Sequence, residues 1–200
     1  MIQQHAPLIL ASGSSIRQQM LKSVGLKFSV IPSGVEEDTI KAAMKDAPIP
    51  ALAQALARAK TLSVSSAHPE GYTIGADQIC ALENRILSKP GSYERAEAQL
   101  AELSGRTHQQ HCAVTLAQGD AVLWEFHAVA TLTLRTLTAA EIKAYVAADA
   151  PLASCAAYKF EGLGRYLFAN VDGDHDVIQG LALVPLLPEL QQRGVVRLSA

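Results

Sequence analysis

Residues 8–21 read LILASGSSIRQQML, and the fold turns on how this stretch is parsed. Leu8-Ile9-Leu10-Ala11 is a short apolar run of the kind that forms a buried strand. Four small residues follow, Ser12-Gly13-Ser14-Ser15, and then Ile16, Arg17, Met20 and Leu21 recur at helical spacing. A strand that enters a helix through such a turn leaves unpaired N–H groups and the positive end of the helix dipole facing outward, which suits a phosphate. Arg17 sits in the first helical turn, where the dipole disfavours a cation. It becomes sensible if a polyphosphate lies there. The plainer reading is an ordinary N-cap at Ser14 or Ser15 with an exposed arginine. The turn is not a P-loop, because no G-x-x-x-x-G-K-[ST] occurs.

Working outward, the pattern predicts a strand over 7–11, a helix over 15–23 and a strand over 27–31. A strong helix is expected over 50–66, with Pro50 in its first turn and Leu52, Leu56, Ala59 and Ser63 on its inner face. Residues 72–82 begin as a strand that should break at Gly75, and a hairpin should turn at Glu83-Asn84-Arg85. A helix is expected over 93–103, followed by two long antiparallel strands over 109–117 and 121–134. Thr138-Ala139-Ala140-Glu141 is a capping box opening a helix over 139–148, and 181–193 reads as a last helix or pair of turns. No repeat or dividing linker interrupts residues 1–200. The expectation is an α/β or α+β fold, a single domain with a partly antiparallel sheet around one cleft.

Hydrophobic residues make up 49% of the chain, enough for a full core, and the formal net charge is -2. That balance offers no global field for nucleic acid, so any anion must be held locally. Cys80, Cys112 and Cys155 include no C-x-x-C pair, which argues for buried thiols in a reducing cytoplasm rather than disulfides or a zinc ribbon. MIQQHAP has neither the basic nor the apolar region of a signal peptide. The most apolar stretch, 181–190, is too short to span a bilayer, so neither membrane nor nucleic acid is an expected partner.

Other residues could carry chemistry. Asp77, in IGADQ, is expected at a strand end, where a carboxylate can hold Mg²⁺ or activate water. Lys60 lies at the edge of a helix's apolar stripe, where a lysine usually snorkels. Lys89 precedes Pro90, which could aim its ammonium. Glu36, Glu37 and Asp38 form an acidic run that commonly just starts a helix. Several motifs can be set aside. Asp172–Asp176 reads like the start of a calcium loop, but Val177 and Leu183 occupy the positions that need Gly and Glu. Gly162-Leu163-Gly164 lacks a dinucleotide fingerprint, and His108 and His111 point to opposite faces of a strand.

Taken in order, seven motifs resemble the Maf family of nucleoside triphosphate pyrophosphatases. They are LASGSSIRQQML, VEED, LARAK, IGADQ, LSKP, LSGRTH and the closing AAYKFEGLGRYLF…VDGDHDVIQGLAL, and they cover about 8 to 192. The resemblance implies a two-lobed, ITPase-like α/β architecture with a deep central cleft, often dimeric. It implies hydrolysis of a nucleoside triphosphate between the α- and β-phosphates with a divalent cation (Mg²⁺, Mn²⁺ or Co²⁺). Carried over by position, Ser12, Ser14, Arg17, Lys60 and Lys89 would bind phosphate oxygens. Glu37 would help hold metal, and Asp77 would serve both metal and the attacking water. Spacing alone does not rank Glu36 against Glu37.

Gln78 and Glu161 stand where pyrimidine-preferring members carry Thr and Gln, and they resemble the branch that hydrolyses 7-methyl-GTP. A carboxylate at 161 can accept both N1–H and N2–H of guanine and favours the cationic 7-methyl ring. Ser15 and Ile16 replace the family's Pro and first Arg. Ile16 would touch the base without a cation–π partner. GLAL replaces GLPL, and His111-Cys112 replaces the usual hydroxyl. Two alternatives remain: a dTTP/UTP pyrophosphatase, and a nucleotide-binding regulator of septum formation with little catalysis.

Overall fold

In the computed structural model, which describes residues 2–198, the run 8–10 forms a strand whose three residues are all buried. In chain order the elements are β1 (Ile2–Gln4), β2 (Leu8–Leu10), α1 (Ser15–Ser23), β3 (Ser29–Val30), α2 (Glu37–Ala43), α3 (Ile49–Ser65), β4 (Tyr72–Leu82) and β5 (Arg85–Leu87). Then come α4 (Tyr93–Leu103), β6 (Thr107–Gln118), β7 (Ala121–Leu134), α5 (Ala139–Asp149), a 3-10 turn (Leu163–Leu167), β8 (Phe168–Asp172), α6 (His175–Gln179), α7 (Leu183–Gln192) and β9 (Val196–Leu198). The fold is mixed α/β. Its contacts divide the chain into two compact units.

Unit 1 takes the chain up to Gln78, then Cys112–Ala128, then the chain from Gly180. Its sheet starts with three parallel strands in the order β3-β2-β4, and segments of β6 and β7 follow. Leu10 pairs with Val30 on one side and with Ile74 on the other. The next amide, Ala11 N–H, still donates to the Ile74 carbonyl at 2.8 Å. Strands this apolar on both faces belong in the middle of a covered sheet. α3 lies close against β4. A Cβ placed on Gly75 would stand 2.1 Å from Thr61 Oγ1 and 3.1 Å from Thr61 Cα. On its other side α3 is fastened by Arg58, whose Nε donates to Glu125 Oε1 at 2.8 Å, with Gln54 donating to the same oxygen at 3.1 Å. A separate antiparallel pair, β1 with β9, joins Ile2 to Leu198 and Gln4 to Val196.

Unit 2 holds Ile79–His111 and Val129–Gln179. β5 folds back on the end of β4, with Leu82 opposite Arg85 across a two-residue turn in which Glu83 has φ 57°. β8 runs antiparallel to β7. α5 opens with the expected capping box, in which Glu141 N–H donates to Thr138 Oγ1 while Glu141 accepts from Thr138 N–H. Buried Tyr158 is held through its hydroxyl by Gln110 Nε2 at 2.9 Å and His108 Nε2 at 2.7 Å.

Four expectations are corrected. β4 runs unbroken through Gly75, so Asp77 lies within the strand rather than at its end. The glycine marks a close helix approach instead of a break. The inner face of α3 is rotated to Leu52, Ala53, Leu56, Ala57, Thr61 and Val64, because the helix meets the sheet at Gly75; Ser63 faces out. The strand expected over 27–31 shrinks to Ser29–Val30, both exposed. Cys155 is only half-buried, while Cys80 and Cys112 are buried. Among the described residues no helix is long and apolar enough to cross a membrane.

Candidate active site

Ligand sites in parallel sheets form at the carboxyl ends of the strands, where loops and helix N-termini converge. In unit 1 all three parallel strands deliver candidate residues at that end. β2 runs into Ser12-Gly13-Ser14 and the start of α1. β3 is followed by the loop that opens α2 at Glu37. β4 carries Asp77 just past its pairing with β2.

Ser14 caps α1, its hydroxyl accepting from Arg17 N–H at 3.5 Å. By position, the N–H groups of Ser15 and Ile16 have no acceptor within the helix. The Arg17 guanidinium stays at this end of the helix, held by two acceptors. Its Nε donates to the Gly180 carbonyl at 2.8 Å and its Nη1 to Ser12 Oγ at 3.1 Å. Ser12 Oγ also accepts from Ser14 N–H at 3.3 Å. Gly180 has φ +90°, and a Cβ there would stand 3.1 Å from Gln78 Oε1 and 3.3 Å from Arg17 Nη2. Only a glycine lets this backbone approach both side chains.

The second cluster is ionic. Lys60 does not snorkel outward. Its ammonium lies 2.5 Å from Asp77 Oδ1 and 2.7 Å from Glu37 Oε1. The Lys60 and Asp77 side chains are only 13% and 8% exposed, whereas Glu37 is 38% exposed. Lys41, one helical turn after Glu37, reaches its other oxygen at 2.9 Å. Burial pushes the Glu37 carboxyl up, but the combined hydrogen bonds and charges of Lys60 and Lys41 outweigh it and hold its pKa at about 2. A carboxyl depressed in the folded state stabilises the fold above its ordinary value and loses that contribution as pH falls toward the folded one. Thermal stability should therefore decline between pH 4.5 and about 2 through this group. Glu37→Gln should flatten that part of the Tm-against-pH curve, and an unchanged curve would count against the pairing.

The family model for Maf-like proteins matches residues 7–193. The chain belongs to the Maf family. Among its relatives, the "Nucleoside triphosphate pyrophosphatase" of Legionella pneumophila strain Philadelphia 1 is 43% identical over 193 residues, 96% of both chains. The protein of the same name from Bradyrhizobium diazoefficiens is 41% identical, again over 96% of both. A solved structure from Mycobacterium abscessus, titled nucleoside-triphosphatase / dITP/XTP pyrophosphatase, has a TM-score of 0.41 at 12% identity over 94% of each chain.

In this Maf-like protein the expected residues fall into three groups. Ser12, Ser14 and Arg17 form one hydrogen-bonded turn, with Ile16 half-buried beside them and Gln78 facing Gly180. Glu37, Lys60 and Asp77 form the ionic cluster, which places Glu37 rather than its neighbour Glu36 against the lysine. Lys89 and Glu161 belong to unit 2, where both are exposed. Lys41 and Gly180 escaped the sequence reading, and Gly75 is read there only as a strand break. Lys41 was visible in principle, because Glu followed by Lys four residues later pairs on a helix. Gly75 and Gly180 gave no such signal, since their role depends on what approaches them.

Proposed function

We propose that this chain is a nucleoside triphosphate pyrophosphatase acting in the cytoplasm, with 7-methyl-GTP as its preferred substrate. One observation carries the reading. A buried carboxylate, Asp77, shares the carboxyl end of a parallel sheet with a serine-arginine turn and with Lys60. The names of relatives matched over nearly the whole chain support the general activity.

The triphosphate would lie on the N–H groups that open α1 and against Arg17, whose contact with Gly180 already fixes its direction. Lys60 and Lys89 would take further phosphate oxygens. Asp77 would accept a proton from water as that water attacks the α-phosphorus. The bond from the α-phosphorus to the bridging oxygen breaks, and pyrophosphate leaves with the electron pair. Glu37 and Asp77 offer two hard carboxylate oxygen ligands on one locus, which fits a small divalent cation. Such a cation would supply charge neutralisation on the phosphates when bound.

Base choice is assigned to Glu161, whose exposed carboxylate can accept two adjacent guanine donors. The test is pyrophosphate release from 7-methyl-GTP, GTP, dTTP, UTP and CTP with Mg²⁺ or Mn²⁺. The reading expects 7-methyl-GTP to lead, and Glu161→Gln to lower its kcat/KM advantage over the pyrimidine nucleotides by roughly tenfold, the worth of about one charge-assisted hydrogen bond. Turnover of dTTP and UTP with 7-methyl-GTP ignored would overturn the base assignment. Tight binding without turnover would favour a nucleotide-responsive regulator.

A further inference from the structure

The two inner carboxylates of the ionic cluster already face as many ammoniums. Glu37 and Asp77 contribute two negative charges and Lys60 and Lys41 two positive ones, while the fully exposed Asp38 reaches Lys41 only at 3.8 Å. Lys60 alone touches both carboxylates, at 2.7 and 2.5 Å, so its ammonium stands where a divalent cation bridging them would sit. Among the described residues no group of three or more His, Cys, Asp or Glu side chains could hold a metal without help. Two carboxylates are what Mg²⁺ commonly receives from a protein when substrate phosphates and water complete its shell.

We infer that Lys60 is an internal counter-ion that keeps divalent metal off the Glu37 and Asp77 carboxylates until a nucleoside triphosphate brings the metal with it. The inference rests on the pyrophosphatase reading above and adds an order of events to it. In the free protein an entering cation must either lie against the ammonium or expel it. The first is repulsive at short range. The second strands a lysine whose side chain is 13% exposed. A triphosphate removes both obstacles, because its oxygens receive the ammonium that leaves the carboxylates. The same transfer releases Asp77 Oδ1, the oxygen that Lys60 holds at 2.5 Å, for proton transfer from water.

The test is Mn²⁺ binding, read from the loss of the free-ion electron paramagnetic resonance signal, with no nucleotide present. Wild type should bind Mn²⁺ weakly alone, and it should take up the ion when a non-hydrolysable α,β-methylene triphosphate is added. Lys60→Gln should bind Mn²⁺ to the free protein at least about tenfold more tightly, since it keeps the carboxylates and removes the competing charge. Lys60→Arg, which keeps the charge, should remain weak. The inference is overturned if nucleotide-free wild type already holds Mn²⁺ as tightly as Lys60→Gln. Should Lys60→Gln not fold, tight Mn²⁺ binding by free wild type overturns it by itself. Failure here is separable from failure of the proposed function. Turnover of the nucleotide panel with tight metal binding in the free protein refutes the counter-ion alone. The predicted Mn²⁺ pattern with no turnover of any nucleotide supports the counter-ion and refutes the pyrophosphatase.

Discussion

Asp77→Asn is expected to reduce kcat by roughly 10³-fold, the usual worth of a positioned general base. KM should change far less than kcat, because the phosphate contacts through Arg17 and the α1 N-terminus remain although one carboxylate that would hold the metal is lost. The amide keeps the shape of the side chain but cannot take a proton from water. It also removes the 2.5 Å ion pair with Lys60, whose charge then leans on Glu37 alone at 2.7 Å. A stability loss of about 1–3 kcal/mol should accompany the change, smaller than for a buried charge left with no partner. Steady-state kinetics on folded variant, checked by circular dichroism, separate the two effects. Near-normal kcat in Asp77→Asn would remove Asp77 from the chemistry.

The second large effect concerns a methyl group. Gly75→Ala would place a Cβ 2.1 Å from Thr61 Oγ1 and 3.1 Å from Thr61 Cα. The hydroxyl cannot simply turn away, since it donates to the Ala57 carbonyl at 2.7 Å within the helix. α3 must therefore retreat from β4, at a cost of about 3 kcal/mol or more. For a chain of this size that is a Tm decrease on the order of 10 °C. The retreat should also be felt in catalysis, because Lys60 precedes Thr61 and Asp77 lies two residues beyond Gly75 on β4. Activity measured well below the new Tm should fall as well. Adding Thr61→Ala should recover part of the stability, as expected for two residues in contact. An unchanged Tm in Gly75→Ala would show that α3 does not lie as close to β4 as described.

These two sites show where the sequence is legible. α1 and α4 begin and end where the sequence pattern puts them, and the serine expected to cap α1 does so, because those signals are local. The capping box at Thr138 is likewise complete within four residues. Gly75 misleads because a glycine inside an apolar strand has the same local signature whether the chain breaks or a helix approaches. The β1–β9 pair joins the two ends of the described chain, a contact that no window of sequence contains. Lys60 follows the same rule. Its place on the helix suggests an ammonium reaching for water, and only the neighbouring strand and the α2 start show two carboxylates waiting for it. The chemistry of Ser12, Arg17, Asp77 and Glu37 is readable as residue types in order. Their grouping depends on three parallel strands ending together.

The most direct test of the account is a single turnover of 7-methyl-GTP in heavy-oxygen water with Mg²⁺, followed by mass analysis of the products. Attack on the α-phosphorus by water that Asp77 activates predicts equal amounts of nucleoside monophosphate and pyrophosphate, with the heavy oxygen on the monophosphate. Nucleoside diphosphate with orthophosphate, or a label found on pyrophosphate instead, would contradict it.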